Sequence, residues 1–352
     1  MGKGPSLILV LLLLTPSWSR SKETPAPLVG PELQMDGGRR LTYEGSFSSE
    51  RELQNKRSFW KKVLDVVVGA PDYRSLVRPY SIARDSRGRV IVTDPGAAGV
   101  HIFDFTEKKY KFLSRWDRDK DPMLTPQCVA VDAQDNIYVT DSVSGKIFVF
   151  DSNGKFRHAL GSIKGGEGYF KRPTGIAVDS AADRIYVTDT LRNKVFFLDL
   201  KGSVLGFFGK RGTLPGEFNL PTEVLLQGDN VAVVDAMNFR VQFFDRTGTY
   251  RFSIGTLGDS LGQVFRPKGV AFDSEGHLYV AEGLANMVQV FNLEGQLLYY
   301  FGQHGSGAGE FQLPAGLFID HEDRIFVVDS YNRRIQMFHY YGLPKQAAVR
   351  MP

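Results

Sequence analysis

The chain has 352 residues, of which 42% are hydrophobic and 12% aromatic, which is enough to bury a core and excludes a globally disordered chain. The formal net charge of +4 at pH 7 permits an anionic partner without requiring one. The single cysteine, Cys128, excludes an internal disulfide and a cysteine-based zinc site.

The first twenty residues have the pattern of a secretory signal peptide. Lys3 supplies positive charge, residues 7–14 form an apolar run that Pro16 ends, and residues 17–19 offer a cleavage site. An uncleaved N-terminal anchor is the alternative, although so short an apolar core fits a spanning helix poorly. The sequence therefore predicts a bacterial-type exported protein, periplasmic or extracellular, with no membrane span after cleavage.

The rest of the chain divides into three parts. Residues 21–57 are polar and rich in Pro, Gly and charge without a sustained period, which predicts a flexible linker. Residues 58–340 repeat themselves, and residues 341–352 form a C-terminal tail. We therefore expect one repeat domain between two non-repetitive segments.

The repeat has a period of about 47 residues, which is typical of propellers and solenoids. Each unit holds four short β-type runs punctuated by Asp, Asn and Gly, and no unit carries a helical stretch. Four strands per unit predict a propeller blade, with the first strand lining a central channel. A proline heads each unit: Pro79, Pro126, Pro173, Pro221, Pro267 and Pro314. An acidic residue closes each second strand: Asp94, Asp141, Asp189, Asp235, Glu282 and Asp329.

The fold class that follows is all-β: a six-bladed β-propeller of four-stranded antiparallel blades. The last repeat supplies only three strands, so an N-terminal strand must complete the last blade and close the ring. Residues 63–68 (VLDVVV) align with the fourth strands of other units, and we expect them to pair with residues 335–338.

The repeat resembles the NHL repeat. The segments GSGAGEFQLPAGLFIDHEDRIFVVDSYNRRIQMF (residues 305–338) and GKRGTLPGEFNLPTEVLLQGDNVAVVDAMNFRVQFF (residues 209–244) carry the resemblance. It implies a propeller whose relatives bind protein or RNA, act as extracellular sensor domains of bacterial kinases, or, in one case, form a zinc-dependent amidating lyase. The signal-like N-terminus argues against the intracellular RNA-binding role.

The candidate catalytic groups favour a structural interpretation. None of the six histidines falls on a predicted channel-lining strand, and the repeated acids recur in every blade, as turn-forming residues would. Cys128 sits in an apolar run that favours inert burial. Glu223 replaces the small residue of a first strand and is a candidate metal ligand at the channel, but pairing with a nearby Arg or Lys is the interpretation that we favour. We predict no cofactor and no metal.

One feature breaks the repetition: arginine precedes the proline in blades 1, 3 and 5 only. Its position places these arginines at the channel mouth, where they form a basic face for an anionic partner or, alternatively, bridge blades through salt bridges. The predicted ligand-binding residues are Arg78, Tyr80, Gln127, Arg172, Thr222, Glu223, Arg266 and Lys268.

These patterns favour a monomeric, non-catalytic scaffold that docks a protein or an anionic polysaccharide on its channel rim. Whether the protein is an enzyme stays open. The first alternative is a metal-dependent hydrolase or lyase with its site at the channel mouth, and the second is a nucleic-acid-binding propeller, against which the export signal argues.

Overall fold

The repeat units fold into blades of four antiparallel strands, because runs of β-branched and aromatic residues alternate with short Asp-, Asn- and Gly-containing turns. The computed structural model describes residues 32–35, 38–53, 73–114, 122–162 and 168–342. Within them, six sheets form a six-bladed β-propeller. The predicted signal segment, residues 1–20, lies outside the described residues. Among the described residues, no helix has both the length and the apolar character needed to cross a membrane.

Blades 1 to 5 each use four consecutive strands, starting from β3, and blade 6 uses β23, β24, β25 and β2, with β1 added at its outer edge. Three short 3-10 turns cover Glu50–Leu53, Thr190–Arg192 and Ala236–Asn238. The strands are β1 (Glu32–Gln34), β2 (Arg40–Phe47), β3 (Ser81–Arg84), β4 (Val90–Asp94), β5 (Gly99–Asp104), β6 (Lys109–Leu113), β7 (Pro126–Val131), β8 (Ile137–Asp141), β9 (Lys146–Phe150), β10 (Phe156–Leu160), β11 (Pro173–Asp179), β12 (Arg184–Asp189), β13 (Lys194–Leu198), β14 (Val204–Phe208), β15 (Pro221–Gln227), β16 (Asn230–Asp235), β17 (Arg240–Phe244), β18 (Tyr250–Ile254), β19 (Pro267–Phe272), β20 (Leu278–Glu282), β21 (Met287–Phe291), β22 (Leu297–Phe301), β23 (Pro314–Ile319), β24 (Arg324–Asp329) and β25 (Arg334–Tyr341).

The first strand of each blade lines the central channel, as the sequence predicts, and small residues let these strands approach one another. A Cβ on Gly175 of β11 would lie 2.6 Å from the Cα of Glu223 on β15, closer than real Cβ atoms come. A Cβ on Gly316 would lie 2.7 Å from the backbone oxygen of Tyr80. The second strands are buried almost throughout, because blades pack face to face and their apolar clusters lie between neighbouring blades.

An N-terminal strand completes the last blade, but it is not the one that the sequence indicated. β2 occupies the edge of β25, with Tyr43 opposite Phe338 and Phe47 opposite Ile335. The expectations that residues 63–68 pair with this edge and that all of residues 21–57 form a flexible linker are therefore wrong; residues 63–68 themselves lie outside the described residues.

The burial of β2 explains why it holds that edge. Leu41 packs with Phe338 in the cluster between blades 5 and 6, whereas Phe47 packs on Phe103 of blade 1 with ring centroids 5.0 Å apart. The strand thus contributes apolar side chains to both interfaces of blade 6. Burying two such side chains stabilises the fold by about 1.5–3 kcal/mol each, which favours ring closure by this segment.

Candidate ligand-binding site at the channel mouth

A cavity of about 560 Å³ opens at one end of the channel, on the side of the turns that enter the first strands. Its lining comes from the first strands and the neighbouring turns of blades 1, 2, 3, 5 and 6. Six of the eight predicted site residues meet there: Arg78, Tyr80, Gln127, Arg172, Arg266 and Lys268.

The repeated acids position the arginines through the backbone rather than through the guanidinium groups. Each buried carboxylate accepts a backbone N–H from the residues just before the proline, which fixes the turn into the first strand. The three bonds that place rim arginines join the amide of Arg78 to Asp94 (3.0 Å), that of Arg172 to Asp189 (3.1 Å) and that of Arg266 to Glu282 (2.8 Å). These acids therefore serve the fold, and their side chains are not available as a ring of metal ligands.

Within the described part of the chain, the three rim arginines do not bridge blades through salt bridges, contrary to that alternative. Among the described residues, no carboxylate lies within 4.0 Å of the guanidinium groups of Arg78, Arg172 or Arg266. The Nη1 of Arg266 lies 3.8 Å from the Sδ of Met237. All three arginine side chains are exposed and line the cavity, and none has a counter-ion among the described residues.

Lys268 adds a fourth cation, half-buried inside the cavity. Burial lowers the pKa of its amine, and the charges of Arg266 and Arg172 lower it further, so these three groups lie close enough to repel one another. The lysine stem lies against Gly283, where a Cβ would come within 3.2 Å of its Cγ. The mouth therefore concentrates positive charge in a concave, partly desolvated space.

Tyr80 also lines this cavity. Its ring packs against the apolar cluster between blades 6 and 1, which contains Ala315, and against the cluster between blades 2 and 3, which contains Cys128. Burial raises the pKa of its phenol far above the usual range; nearby negative charge on Cys128 or Glu223 raises it further, whereas Arg172 opposes the shift. Tyr80 lines this mouth cavity but does not line the smaller cavity toward the other end of the channel.

Glu223 does not line the mouth cavity. It lines a smaller cavity of about 270 Å³ toward the other end of the channel, and its Oε2 accepts a hydrogen bond from the Sγ of Cys128 at 3.2 Å. The surrounding protein raises the pKa of this carboxyl to about 7 because burial outweighs the hydrogen bonds that it accepts. The expected pairing with Arg or Lys is wrong: no cation lies within 4.0 Å of it in the described part of the chain.

Two further predictions concern Thr222 and Cys128. Thr222 does not line the mouth cavity, and its hydroxyl is buried without a hydrogen-bond partner in the described ranges. Cys128 is a free, buried thiol, as predicted, and burial holds its pKa well above the usual value. Both residues therefore belong to the channel wall rather than to the mouth.

Sequence reasoning missed an apolar rim around the cavity. An acidic residue closes the second strand of each blade, and the position that matters here lies two residues after it. In four blades this position holds a large apolar side chain that is more than half exposed. The sequence could have predicted this feature, because the four residues occupy the same position of the repeat. They are Val143 (64% exposed), Leu191 (53%), Leu284 (52%) and Tyr331 (56%).

Metal and histidine chemistry do not converge on the channel in the described ranges. No group of three or more His, Cys, Asp or Glu side chains there has a geometry that could hold a metal ion. His101 lies on the third strand of blade 1 with its Nε2 3.4 Å from Asp94, and His277 lies in a turn, bonded to Asp273 at 2.8 Å. These contacts give both histidines structural partners.

Comparisons with known proteins agree with this architecture. The chain matches the model of the DUF5128 family, described as a 6-bladed beta-propeller, over residues 123–208 and 270–347, which span blades 2, 3, 5 and 6. Among curated proteins it is similar to Protein brain tumor of Drosophila melanogaster, with 35% identity over 65 residues. That alignment covers 18% of this chain and only 6% of the fly protein, so the chain spans a small part of that relative's length.

Solved structures share the fold at low identity. A protein of unknown function from Bacteroides thetaiotaomicron has a TM-score of 0.59 with 15% identity, covering 88% of this chain and 84% of that one. An auxiliary nutrient binding protein from Bacteroides ovatus has a TM-score of 0.57 with 13% identity (75% and 69% covered), and virginiamycin B lyase from Staphylococcus aureus one of 0.54 with 14% identity (74% and 94% covered). Binding proteins and lyases both occur on this fold, so function has to be argued from the site.

Proposed function

We propose that this protein is a non-catalytic binding propeller that takes an anionic group of a protein or polysaccharide partner into the cavity at the channel mouth. The proposal includes export to the periplasm or exterior, action as a monomer, and membership of the NHL-type propellers. Export is motivated by the signal-like pattern of residues 1–20. It is tested by fractionating cells that express the full chain, with retention in the cytoplasm as the contrary result.

The observation that supports the proposal is a set of four cations around one cavity with no carboxylate paired to any of them in the described ranges. Like charges that crowd together destabilise one another, and an anionic ligand relieves that repulsion while it gains charge-assisted hydrogen bonds. Guanidinium groups are suited to carboxylates, phosphates and sulfates because their donors form a planar fork. An anion is therefore the ligand that this mouth is built to favour.

The experiment reverses the three rim charges together, with Arg78→Glu, Arg172→Glu and Arg266→Glu. Binding is measured by calorimetry against oligogalacturonate, a hexaglutamate peptide and a single-stranded RNA oligomer. We expect the unsubstituted protein to bind an anionic probe with a strong dependence on salt, and the variant to lose that binding. The matched control reverses three exposed cations away from the mouth, Lys155, Lys201 and Arg251, and should keep the binding.

Two results would contradict this function. One is that reversal at the mouth changes binding no more than the control reversal. The other is that purified protein carries a stoichiometric divalent ion whose removal abolishes binding, which would favour the metal-dependent alternative. Tight binding of the RNA oligomer in preference to the other probes would support the nucleic-acid alternative instead.

A further inference from the structure

The apolar rim limits which class of partner the channel mouth can bind. Val143, Leu284 and Tyr331 line the mouth cavity itself, and Leu191 occupies the equivalent position in blade 3. The fold does not require a large apolar residue at this position, since blade 1 has Gly96 there. Single exposed apolar residues are ordinary, but four at one repeat position, three of them lining one cavity, form a patch of the kind that marks an interaction surface.

The apolar rim and the cations together have the composition of a protein-binding surface. Protein interfaces combine apolar and aromatic contacts with a small number of arginine anchors in one patch. Here Arg172, Arg266 and Lys268 line the same cavity as the apolar side chains of Val143, Leu284 and Tyr331. A partner that matches both features must present acidic groups with apolar groups directly beside them.

Glycans and nucleic acids match only half of this surface. Both would find the cations attractive, but a hydroxyl-covered sugar chain would lose hydration against Val143, Leu191 and Leu284 without gaining a hydrogen bond. Nucleic-acid bases stack on aromatic rings, and Tyr331 is the single aromatic residue among the four rim positions. Aliphatic side chains are instead the complement of aliphatic side chains on a polypeptide.

The size of the mouth limits how such a partner enters. A cavity of about 560 Å³ is comparable to a small-molecule pocket and too narrow for a folded surface. A loop tip or a chain terminus is the part of a protein that can place one or two carboxylates there while its neighbours lie on the rim.

We infer that the channel mouth binds the acidic tip of a protein segment, with the carboxylates on the rim arginines and Lys268 and the flanking apolar side chains on Val143, Leu191, Leu284 and Tyr331. This inference rests on the proposed function and chooses between its two partner classes. The polysaccharide then becomes an outcome of the test rather than a second proposal.

The test selects ligands from a randomised peptide display library on the full chain and measures the affinity of the selected peptides. We expect enriched sequences that carry two or more acidic residues beside aliphatic or aromatic ones. The double variant Val143→Ser with Leu284→Ser should weaken the best peptide by about tenfold, because it removes the apolar contacts and leaves the charges. The same variant should weaken oligogalacturonate binding less than peptide binding, because a hydroxyl-covered sugar chain gains little from the apolar rim.

The matched control is Val204→Ser with Leu205→Ser, which removes one exposed Val and one exposed Leu from the outer strand β14, and it should bind the peptide normally. Equal peptide affinity in the rim variant and the unsubstituted protein overturns the inference. So does a library that yields no acidic-apolar sequences while oligogalacturonate binds, a result that leaves the proposed function standing. Failure of the peptides, hexaglutamate and oligogalacturonate alike overturns the inference and the proposed function together.

Discussion

Two sets of arginines have opposite roles in the repeat. One is the arginine at the start of the third strand in blades 4 and 6, and the other is the rim arginine before the proline in blades 1, 3 and 5. Arg334 of blade 6 points inward: its Nε lies 2.7 Å from the buried carboxylate of Asp329, and its other nitrogens donate to the backbone carbonyls of Ser306, Gly307 and Glu310. The rim arginines of the odd blades have no carboxylate partner in the described ranges. The first kind fixes a turn, and the second leaves its charge available.

The difference extends to the backbone. Blades 4 and 6 have leucine before the proline, and Leu220 and Leu313 adopt left-handed conformations with φ of 54° and 50°. Each leucine donates its N–H to an asparagine of the preceding blade, Asn193 or Asn286, at 2.9 Å. The odd blades keep an ordinary backbone at that point and carry arginine there. The repeat thus offers two versions of one turn, and only one of them places a cation at the mouth.

The largest loss of stability should come from substitution of the inward-pointing Arg334. Arg334→Ala leaves the buried Asp329 carboxylate without its cation and removes the bonds to three loop carbonyls, so we expect a loss of about 3–5 kcal/mol in the free energy of unfolding. Arg172→Ala at the rim breaks no ion pair and should cost less than about 0.5 kcal/mol. Urea denaturation of the two variants checks the contrast, and similar losses would show that the two arginines are not of different kinds.

This contrast could be predicted from the sequence only in part. The prolines and the acids recur in every blade, and small residues such as Gly175 recur in all blades except blade 4, so their structural role follows from repetition alone. The alternation of Arg78, Arg172 and Arg266 was visible for the same reason, since it breaks the repetition. The sequence does not show whether the fold brings a carboxylate from elsewhere in the chain close enough to pair with these arginines.

Two features that the sequence did not predict have the same physical origin: the contact between Glu223 and Cys128, and the strand that completes blade 6. Glu223 and Cys128 are 95 positions apart and meet because the first strands of different blades converge on one axis. β2 alternates Leu41, Tyr43 and Phe47 with polar residues, a weaker apolar signal than the run at residues 63–68. It is nevertheless the strand beside β25 because its two faces fit the clusters on both sides of blade 6. Both results depend on packing partners that are distant in sequence.

The next effect concerns Glu223, a carboxylate with no cation within 4.0 Å in the described ranges. The pKa of Glu223 is raised to about 7 in the folded protein and is near 4.5 when unfolded, so the folded state holds the extra proton between these values. Its contribution to stability is therefore fully present below about pH 4.5 and is lost as pH rises to 7. Glu223→Gln cannot titrate, and its free energy of unfolding relative to the unsubstituted protein should improve steadily across that window. A difference between the two proteins that does not vary with pH would contradict the assignment.

A smaller effect tests whether the rim cations act on one another. Lys268 has a lowered pKa because of burial and because Arg266 and Arg172 repel its charge. The double variant Arg172→Ala with Arg266→Ala should raise that pKa, leave less neutral amine at pH 8 and slow acylation of Lys268 by a soluble amine reagent, measured by peptide mass spectrometry. Arg78→Ala is the control, since it does not act on the titration of Lys268. Unchanged labelling in the double variant would show that the cations at the mouth are electrostatically independent.

The smallest effect comes from giving an even blade the rim charge of an odd one. Leu313 lines the mouth cavity, is partly exposed, and already occupies a left-handed backbone position that leucine and arginine tolerate equally. Leu313→Arg should therefore leave the unfolding free energy within about 0.5 kcal/mol of the unsubstituted protein. It should also raise the affinity for an anionic probe about twofold to fivefold at low salt, an effect that disappears at 1 M salt. Leu313→Gln, of similar length without the charge, is the control. If both variants changed affinity alike, size rather than charge at the mouth would decide binding, and the distinction between paired and available arginines would lose its functional meaning.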